Sequence, residues 1–204
     1  MSKKILLASP TIHSEEMGFV QEAFDKNWVA PLGFNCDGFE VEMSEYLGEG
    51  YAFATVSGTA ALHLAVKLAG VKPGDLVLCS DMTFSATVNP VTYEGGVQVF
   101  VDSERETWNM DPVALEKAFS LYPDAKVVVL AHLYGTPSKM DEILEVCKKH
   151  GAILIEDAAE ALGSEYKGKK CGTFSPYNAL SLVVLKNRTS DSYTGIRSGG
   201  SKAA

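Results

Sequence analysis

The sequence lacks any long apolar run, since none of its hydrophobic stretches approaches the roughly 20 residues that a membrane-spanning helix needs. Its opening residues carry two lysines and a few apolar residues, but that stretch is too short for a secretory signal and no cleavage-site pattern follows it. The 4 cysteines, at positions 36, 79, 147 and 171, show neither metal-ligand spacing nor a disulfide pattern. We therefore expect a cytoplasmic protein with no membrane segment and no metal site.

Positive charge is also scarce, because 18 Lys and Arg stand against 26 Asp and Glu and give a net charge of −8. A general nucleic-acid binder would need a basic surface, so nucleic acid is not an expected partner. A phosphorylated small ligand stays possible, since helix ends and single lysines can hold a phosphate locally. No Gly-x-Gly-x-x-Gly follows a predicted strand, which argues against a nicotinamide dehydrogenase.

Short apolar runs without polar alternation are what the sequence does contain. They lie at residues 51–56, 76–80, 97–102, 126–131, 152–156 and 179–184. Runs of this kind are typical of strands buried on both faces, and helical patterns separate them. The alternation predicts an α/β fold with a mainly parallel sheet flanked by helices.

Several residues predict where helices begin and end. Asp111 before Pro112 fits an N-cap, Ser138 with Asp141 resembles a capping box, and Gly151 fits a helix C-terminus. We divide the chain into a helical segment at 1–50, a main domain at 51–186 and a tail at 187–204. The first segment is predicted to hold helices at about 13–26 and 38–47. The tail is rich in Ser, Gly, Thr and Lys, which predicts disorder.

A strand–turn–helix junction at residues 56–62 is the first candidate for chemistry. Backbone N–H groups of Gly58, Thr59 and Ala60 would be unpaired at the start of the helix, where the helix dipole favours an anion. The alternative is an ordinary junction with Ser or Thr as the N-cap.

Three more candidates follow predicted strands. Asp157 comes at the carboxyl end of one strand, where ligands of parallel sheets bind, although it also fits a helix N-cap. Phe84 could stack on a flat ring or pack in the core. Lys186 could be a nucleophilic amine or a surface lysine.

The order of these candidates along the chain indicates the type of ligand more specifically than any single candidate does. Pyridoxal 5′-phosphate (PLP) needs helix-end amides and a hydroxyl for its phosphate, an aromatic face for its ring, a carboxylate for its ring nitrogen and a lysine for its aldehyde. At these residues the chain resembles the DegT/DnrJ/EryC1/StrS family of PLP-dependent sugar aminotransferases. Similar segments lie at 27–33, 57–61, 100–102, 132–135, 139–141, 156–160 and 166–169, and the likeness runs from about Lys3 to Ser181.

The resemblance implies the large domain of the type I PLP-dependent transferase fold and a set of cofactor-binding residues. The set comprises Gly58, Thr59, Ala60, Phe84, Asp157, Glu160, Ser181 and Lys186. Thr59 and Ala60 would hold the phosphate through the helix end, and Ser181 would add its hydroxyl.

The resemblance also implies roles at the ring and the aldehyde. Phe84 would stack on the ring, Asp157 would pair with its nitrogen, and Glu160 would lie near its ring oxygen. Lys186 would bind the aldehyde covalently, which makes Asp157 and Lys186 the expected catalytic residues.

The likeness extends to substrates and assembly. Segments 28–33 and 107–110 resemble the branch that aminates UDP-4-keto-6-deoxy-N-acetylhexosamines for bacillosamine-type sugars and polysaccharides. Glutamate is the implied amino donor, and a homodimer is the implied assembly.

The end of the chain departs from the family pattern. Ser181 and Lys186 keep the family spacing, but an all-aliphatic stretch replaces the middle, and 187–192 matches no family segment. We expect a frameshift, a truncated reading frame or a gene fragment, with the C-terminal domain missing, an open sheet edge and little activity. The competing hypothesis is a non-catalytic remnant. A dehydratase variant with His in place of the lysine is disfavoured by Lys186.

Overall fold

The computed structural model describes residues 14–48 and 50–181 with their side chains, and the backbone of 194–198. Helices α1 to α6 span Glu16–Asp25, Phe34–Leu47, Gly58–Leu68, Asn89–Tyr93, Pro112–Leu121 and Met140–His150. Strands β1 to β9 span Ala54–Thr55, Leu76–Ser80, Val97–Val101, Val127–Ala131, Ile153–Asp157, Glu165–Tyr166, Lys169–Lys170, Tyr177–Ser181 and Thr194–Ser198. Two short 3₁₀ turns lie at Ser85–Thr87 and Leu133–Gly135.

Seven of these strands form one sheet, in the order β1-β9-β8-β5-β4-β2-β3. The pairs among β8, β5, β4, β2 and β3 are parallel, whereas β9 runs antiparallel to both its neighbours. The predicted mainly parallel α/β sheet is therefore confirmed. Strand β2 has the predicted bounds, and the first predicted strand is reduced to Ala54–Thr55. Residues 182–184, the end of the last predicted strand, lie outside the described residues.

Both faces of the sheet are covered, which explains why its strands read as unbroken apolar runs. In β4, Val127 and Val129 pack on the side of α3, and Val128 and Leu130 pack on the side of α5 and α6. The first of these cores also buries Cys79, and the second buries Cys147.

The helix ends agree with the sequence in two of three places. The Asp111 carboxylate accepts the N–H of Val113 at 2.8 Å, and Gly151 ends α6 in the left-handed region at φ 62°. The capping box at Ser138 is wrong. The hydroxyl of Ser138 instead donates to the carbonyl of Ala131 at 3.2 Å, and Lys139 is the residue before α6. Ser138 is fully buried, so a tertiary partner replaces the local one.

The N-terminal segment also contains two helices, and its loop is closed by an indole. Trp28 donates from Nε1 to the carbonyl of Leu32 at 2.6 Å. Gly33 lies against this ring, because a Cβ there would come within 2.1 Å of Nε1. Helix α2 begins directly after it, four residues before the predicted start at 38.

The prediction of a disordered tail is wrong for Thr194–Ser198. This segment is β9, which pairs along five residues with β8 and along two with β1. Backbone groups make these pairs, so an apolar composition is not required, and the β-branched Thr194 and Ile196 favour an extended backbone. The edge beside β8 is therefore closed, contrary to the expected open edge. Because β9 joins β1 to β8, it also holds the chain that leads into α3.

Removing β9 should destabilise the sheet. A chain that ends at Asn187 loses the pairing of β8 and of β1, and we expect its thermal midpoint to fall by about 5 °C or more. A chain that ends at Gly199 keeps β9 and is the control. Equal melting temperatures for the two truncated chains, measured by circular dichroism, would contradict the role of β9.

Candidate active site

The candidate residues gather at one edge of the sheet. Asp157 and Ser181 end the parallel strands β5 and β8, and Gly58 begins α3 three residues after the end of β1. A Cβ on Gly58 would lie 3.5 Å from the Cβ of Ser181 and 3.6 Å from its Oγ. Two residues expected to share one phosphate are therefore in contact, although 123 positions separate them in the sequence.

The start of α3 combines a helix cap with an anion site. Ser57 is the N-cap, and its Oγ accepts the N–H of Ala60 at 3.1 Å. The expectation that this N–H is unpaired is therefore wrong. The N–H groups of Gly58 and Thr59 lie in the first turn, where the helix itself offers no acceptor. These two N–H groups are the candidate donors for an anion, and the side chain of Ser181 lies beside Gly58 at the same place.

Asp157 is the buried carboxylate of the site, with 7% of its surface exposed. Its Oδ2 accepts the hydroxyl of Thr87 at 2.6 Å, and its Oδ1 accepts the N–H of Ala159 at 3.0 Å. Thr87 in turn lies 2.6 Å from the hydroxyl of Thr83. Residues 158–164 form turns and not a helix, so the helix N-cap interpretation of Asp157 is wrong.

The charges around Asp157 leave room for a cation. Burial raises the pKa of Asp157, the hydrogen bonds from Thr87 and Ala159 lower it, and the nearby Glu160 raises it again. Of the groups that act on this carboxyl, His132 alone would add a favourable charge interaction, and only if its imidazole were protonated. A protonated ring nitrogen would supply the positive charge that the two carboxylates lack, and this donor set fits PLP.

Phe84 presents its ring to the surface just before the turn that carries Thr87. It lies three residues before Thr87, and 75% of its side chain is exposed, so the alternative of core packing is wrong. The ring is accessible to a flat ligand.

Tyr134 borders the site and was not among the predicted residues. Its N–H donates to Oε2 of Glu160 at 2.5 Å, which connects the turn after β4 to the turn after β5. Its backbone has φ 52°, a conformation that non-glycine residues rarely adopt, and its side chain is 75% exposed. The likeness of residues 132–135 to the family is the signal that could have drawn attention to it.

A buried polar pair, also missed by the sequence reasoning, lies behind Asp157. His132 Nε2 is 2.9 Å from Oε1 of Glu156, and both side chains are fully buried. Burial disfavours the charged form of His132, whereas side-chain hydrogen bonds with Cys171 and Glu156 favour it, so these effects on its pKa oppose each other. The N–H of Ser138 donates to Nδ1 at 3.0 Å, and a proton there would face another donor. This geometry favours a neutral imidazole with its proton on Nε2.

Lys186 lies outside the described residues. Within 14–48, 50–181 and 194–198, no cluster of three or more His, Cys, Asp or Glu has the arrangement of a metal site. Over the same residues, every helix is too short or too polar to span a membrane.

Comparison with known proteins agrees with this geometry. The sequence matches the DegT/DnrJ/EryC1/StrS aminotransferase family over residues 10–191, which extends beyond the likeness to Ser181 noted above. Bacillus subtilis EpsN, named as a pyridoxal phosphate-dependent aminotransferase, is 48% identical over 89% of this chain and 48% of its own length. GDP-perosamine synthase of Caulobacter vibrioides is 40% identical over 84% of this chain and 47% of its own.

A solved structure supports the same assignment. The PLP form of Spr1654 from Streptococcus pneumoniae, named as a sugar aminotransferase, superposes with a TM-score of 0.89 at 26% identity. The superposition covers 99% of this chain and 55% of that one.

Replacing the buried carboxyl by an amide should stabilise the ligand-free chain. A carboxyl whose pKa is raised in the folded state binds protons more tightly there, so its contribution to stability falls as pH rises above its unfolded pKa of about 3.9. Asp157→Asn removes this loss, and we expect its gain in unfolding free energy to be larger at pH 7 than at pH 4.

Urea denaturation at the two pH values measures the difference. Asp111→Asn is the matched control, because it makes the same change at an exposed helix cap. A loss of stability in Asp157→Asn that is the same at both pH values would show that the hydrogen bonds, and not the charge, dominate.

Proposed function

The chain belongs to the DegT/DnrJ/EryC1/StrS aminotransferase family, and we propose that it is the cofactor-binding part of an enzyme that moves an amino group from glutamate to a 4-keto sugar nucleotide. It spans about half the length of the curated relatives it matches, so this activity is proposed for the whole protein. The observation that carries the proposal is the buried Asp157 at the carboxyl end of β5, beside a helix start and a strand-end serine.

The described residues divide the task of holding PLP among them. Gly58 and Thr59 would donate backbone N–H groups to the phosphate, and Ser181 would donate its hydroxyl. When bound, PLP supplies an aldehyde that takes up amino groups and a protonated ring that accepts electrons.

The remaining residues would act on the ring. Asp157 would accept a hydrogen bond from the protonated ring nitrogen and keep the proton on that nitrogen, because the positive charge would compensate the buried carboxylate and the nearby Glu160. Phe84 would cover one ring face, and Glu160 would lie near the ring oxygen.

Lys186 is the proposed catalytic amine. Its Nζ would bind the aldehyde and, once the donor amine displaces it, would move a proton between carbon atoms as a general acid and base. The spacing of five residues after Ser181 supports this assignment. The aliphatic residues 182–185, which depart from the family pattern, favour the alternative of a catalytically inactive remnant.

The proposed acceptor is a UDP-4-keto-6-deoxy-N-acetylhexosamine used for cell-surface polysaccharide. The support is the likeness of segments 28–33 and 107–110 to that branch of the family. Because the chain is 40% identical to a GDP-perosamine synthase, a GDP-linked keto sugar is the acceptor to compare with the UDP-linked one in an assay.

We also propose a cytoplasmic homodimer. Helix α1 buries none of its side chains in the described chain and exposes Met17, Phe19 and Phe24 by 60% or more. Apolar exposure on this scale marks an interaction surface, and a second copy is the assembly that the family likeness implies.

PLP binding and its covalent attachment give the first test. We expect the chain to develop an absorbance band with PLP, and borohydride to fix the cofactor to Lys186, as mass spectrometry of peptides would show. Lys186→Ala should abolish this attachment, whereas Lys126→Ala, at the opposite end of the sheet, should not. Attachment that persists in Lys186→Ala would contradict the assignment, and wild-type chain without PLP binding would favour the remnant.

The substrate proposal requires turnover. We expect the 204-residue chain to be near background with glutamate and a UDP-4-keto sugar, and a version extended by a family C-terminal half to be active. The extended version should prefer the UDP-linked over the GDP-linked acceptor by about tenfold in kcat/KM, as expected from unpaired polar contacts with the wrong base. Preference for the GDP-linked sugar would overturn the substrate assignment. Equal turnover of the 204-residue chain and the extended version would show that activity does not require the C-terminal half.

A further inference from the structure

Glu156 is a fully buried carboxylate for which the proposed function has no role. It precedes Asp157 in β5 and, because strand side chains alternate, faces the other side of the sheet. Its Oε1 accepts from His132 and from the N–H of Gly172, and its Oε2 accepts the N–H of Phe174 at 3.0 Å. A buried carboxylate is stable only when its oxygens are satisfied in this way, and all three donors come from loops.

The first loop is residues 132–138, which carries Tyr134 to the rim of the site. The side chain of His132 spans from Glu156 to the N–H of Ser138 and so closes the base of this loop. Asn109 holds its middle, accepting the N–H of Leu133 at 2.8 Å and donating to the carbonyl of Thr136 at 2.8 Å.

The second loop is residues 171–175, which leads into β8. Gly172 has φ 83°, and a Cβ there would lie 2.8 Å from Cδ2 of Leu180. The loop therefore sits directly on the strand that ends in Ser181. Fixing the loop against Glu156 also fixes where that strand end lies relative to Asp157.

We propose that Glu156 is a positioning residue of the PLP site, which holds the 132–138 and 171–175 loops in register with Asp157 by accepting hydrogen bonds from both. The inference rests on the proposed function, because it concerns the geometry of that same site. His132 acts with Glu156 as the bridge to the first loop.

A glutamine cannot replace this carboxylate. Three donors converge on two oxygens, and Gln offers one oxygen and an NH₂ group, which would face a backbone N–H. Glu156→Gln keeps the size of the side chain and removes an acceptor. His132→Gln, by contrast, can accept from Ser138 and donate to Glu156, whereas His132→Leu can do neither.

The test measures amide hydrogen exchange in the PLP-free chain and PLP affinity by absorbance titration. In Glu156→Gln we expect amides of 133–138 and 172–174 to exchange about tenfold faster, with β2 and β3 unchanged, and PLP affinity to fall by about tenfold. His132→Leu should behave likewise in the first loop, and His132→Gln should retain affinity within about threefold. Glu165→Gln, at an exposed position, is the control.

The outcomes separate this inference from the proposed function. Exchange that rises equally across the sheet, or a His132→Gln variant as impaired as His132→Leu, would show a general stabilising role and overturn the inference. If wild-type chain binds PLP and Glu156→Gln binds it equally well, the inference fails and the proposed function stands. If wild-type chain binds no PLP, the proposed function fails, and this role fails with it.

Discussion

The buried carboxylate of Asp157 is the feature on which the arrangement of the site depends. A carboxylate taken out of water costs several kcal/mol unless donors or a positive charge compensate it. The protein supplies one hydroxyl, from Thr87, and one backbone N–H, from Ala159, while Glu160 adds a second negative charge nearby. These neutral donors leave the charge only partly compensated, and under the proposed function the cationic ring nitrogen of PLP would complete the compensation.

The parallel sheet brings the other groups to the same place. Strands β5 and β8 end side by side, and β1 delivers the chain to α3 at the same edge. The proposed phosphate donors and the Asp157 carboxylate therefore come together at one edge of the sheet although they are far apart in sequence. Strand β9 pairs its backbone with both β1 and β8 and so connects β1 to the rest of the sheet.

Patterns that depend on local sequence were predictable, and those that depend on distant partners were not. The central strands were found because both their faces are buried, and Asp157 was found because it ends one of them. The capping box at Ser138 failed because His132 and Ala131 offered that residue tertiary partners. Strand β9 was missed because it pairs with β1 and β8, which lie on either side of it only in the folded chain. The composition of its residues does not indicate this pairing.

The same distinction holds within the site. Gly58 and Ser181 came from family likeness, and their contact is a product of topology. The role of Glu156 could not be read from the sequence, because a glutamate next to an aspartate gives no indication of which one faces a ligand and which one faces the interior loops. Burial and three convergent donors make that distinction.

The central claim is that Asp157 holds a proton on the ring nitrogen of bound PLP. The nitrogen NMR signal of PLP labelled with ¹⁵N in its ring, bound to this chain at neutral pH, tests it directly. We expect the chemical shift of a protonated pyridine in the wild-type chain and that of a neutral pyridine in Asp157→Asn. A neutral ring nitrogen in the wild-type complex, or a protonated one in both proteins, would contradict it.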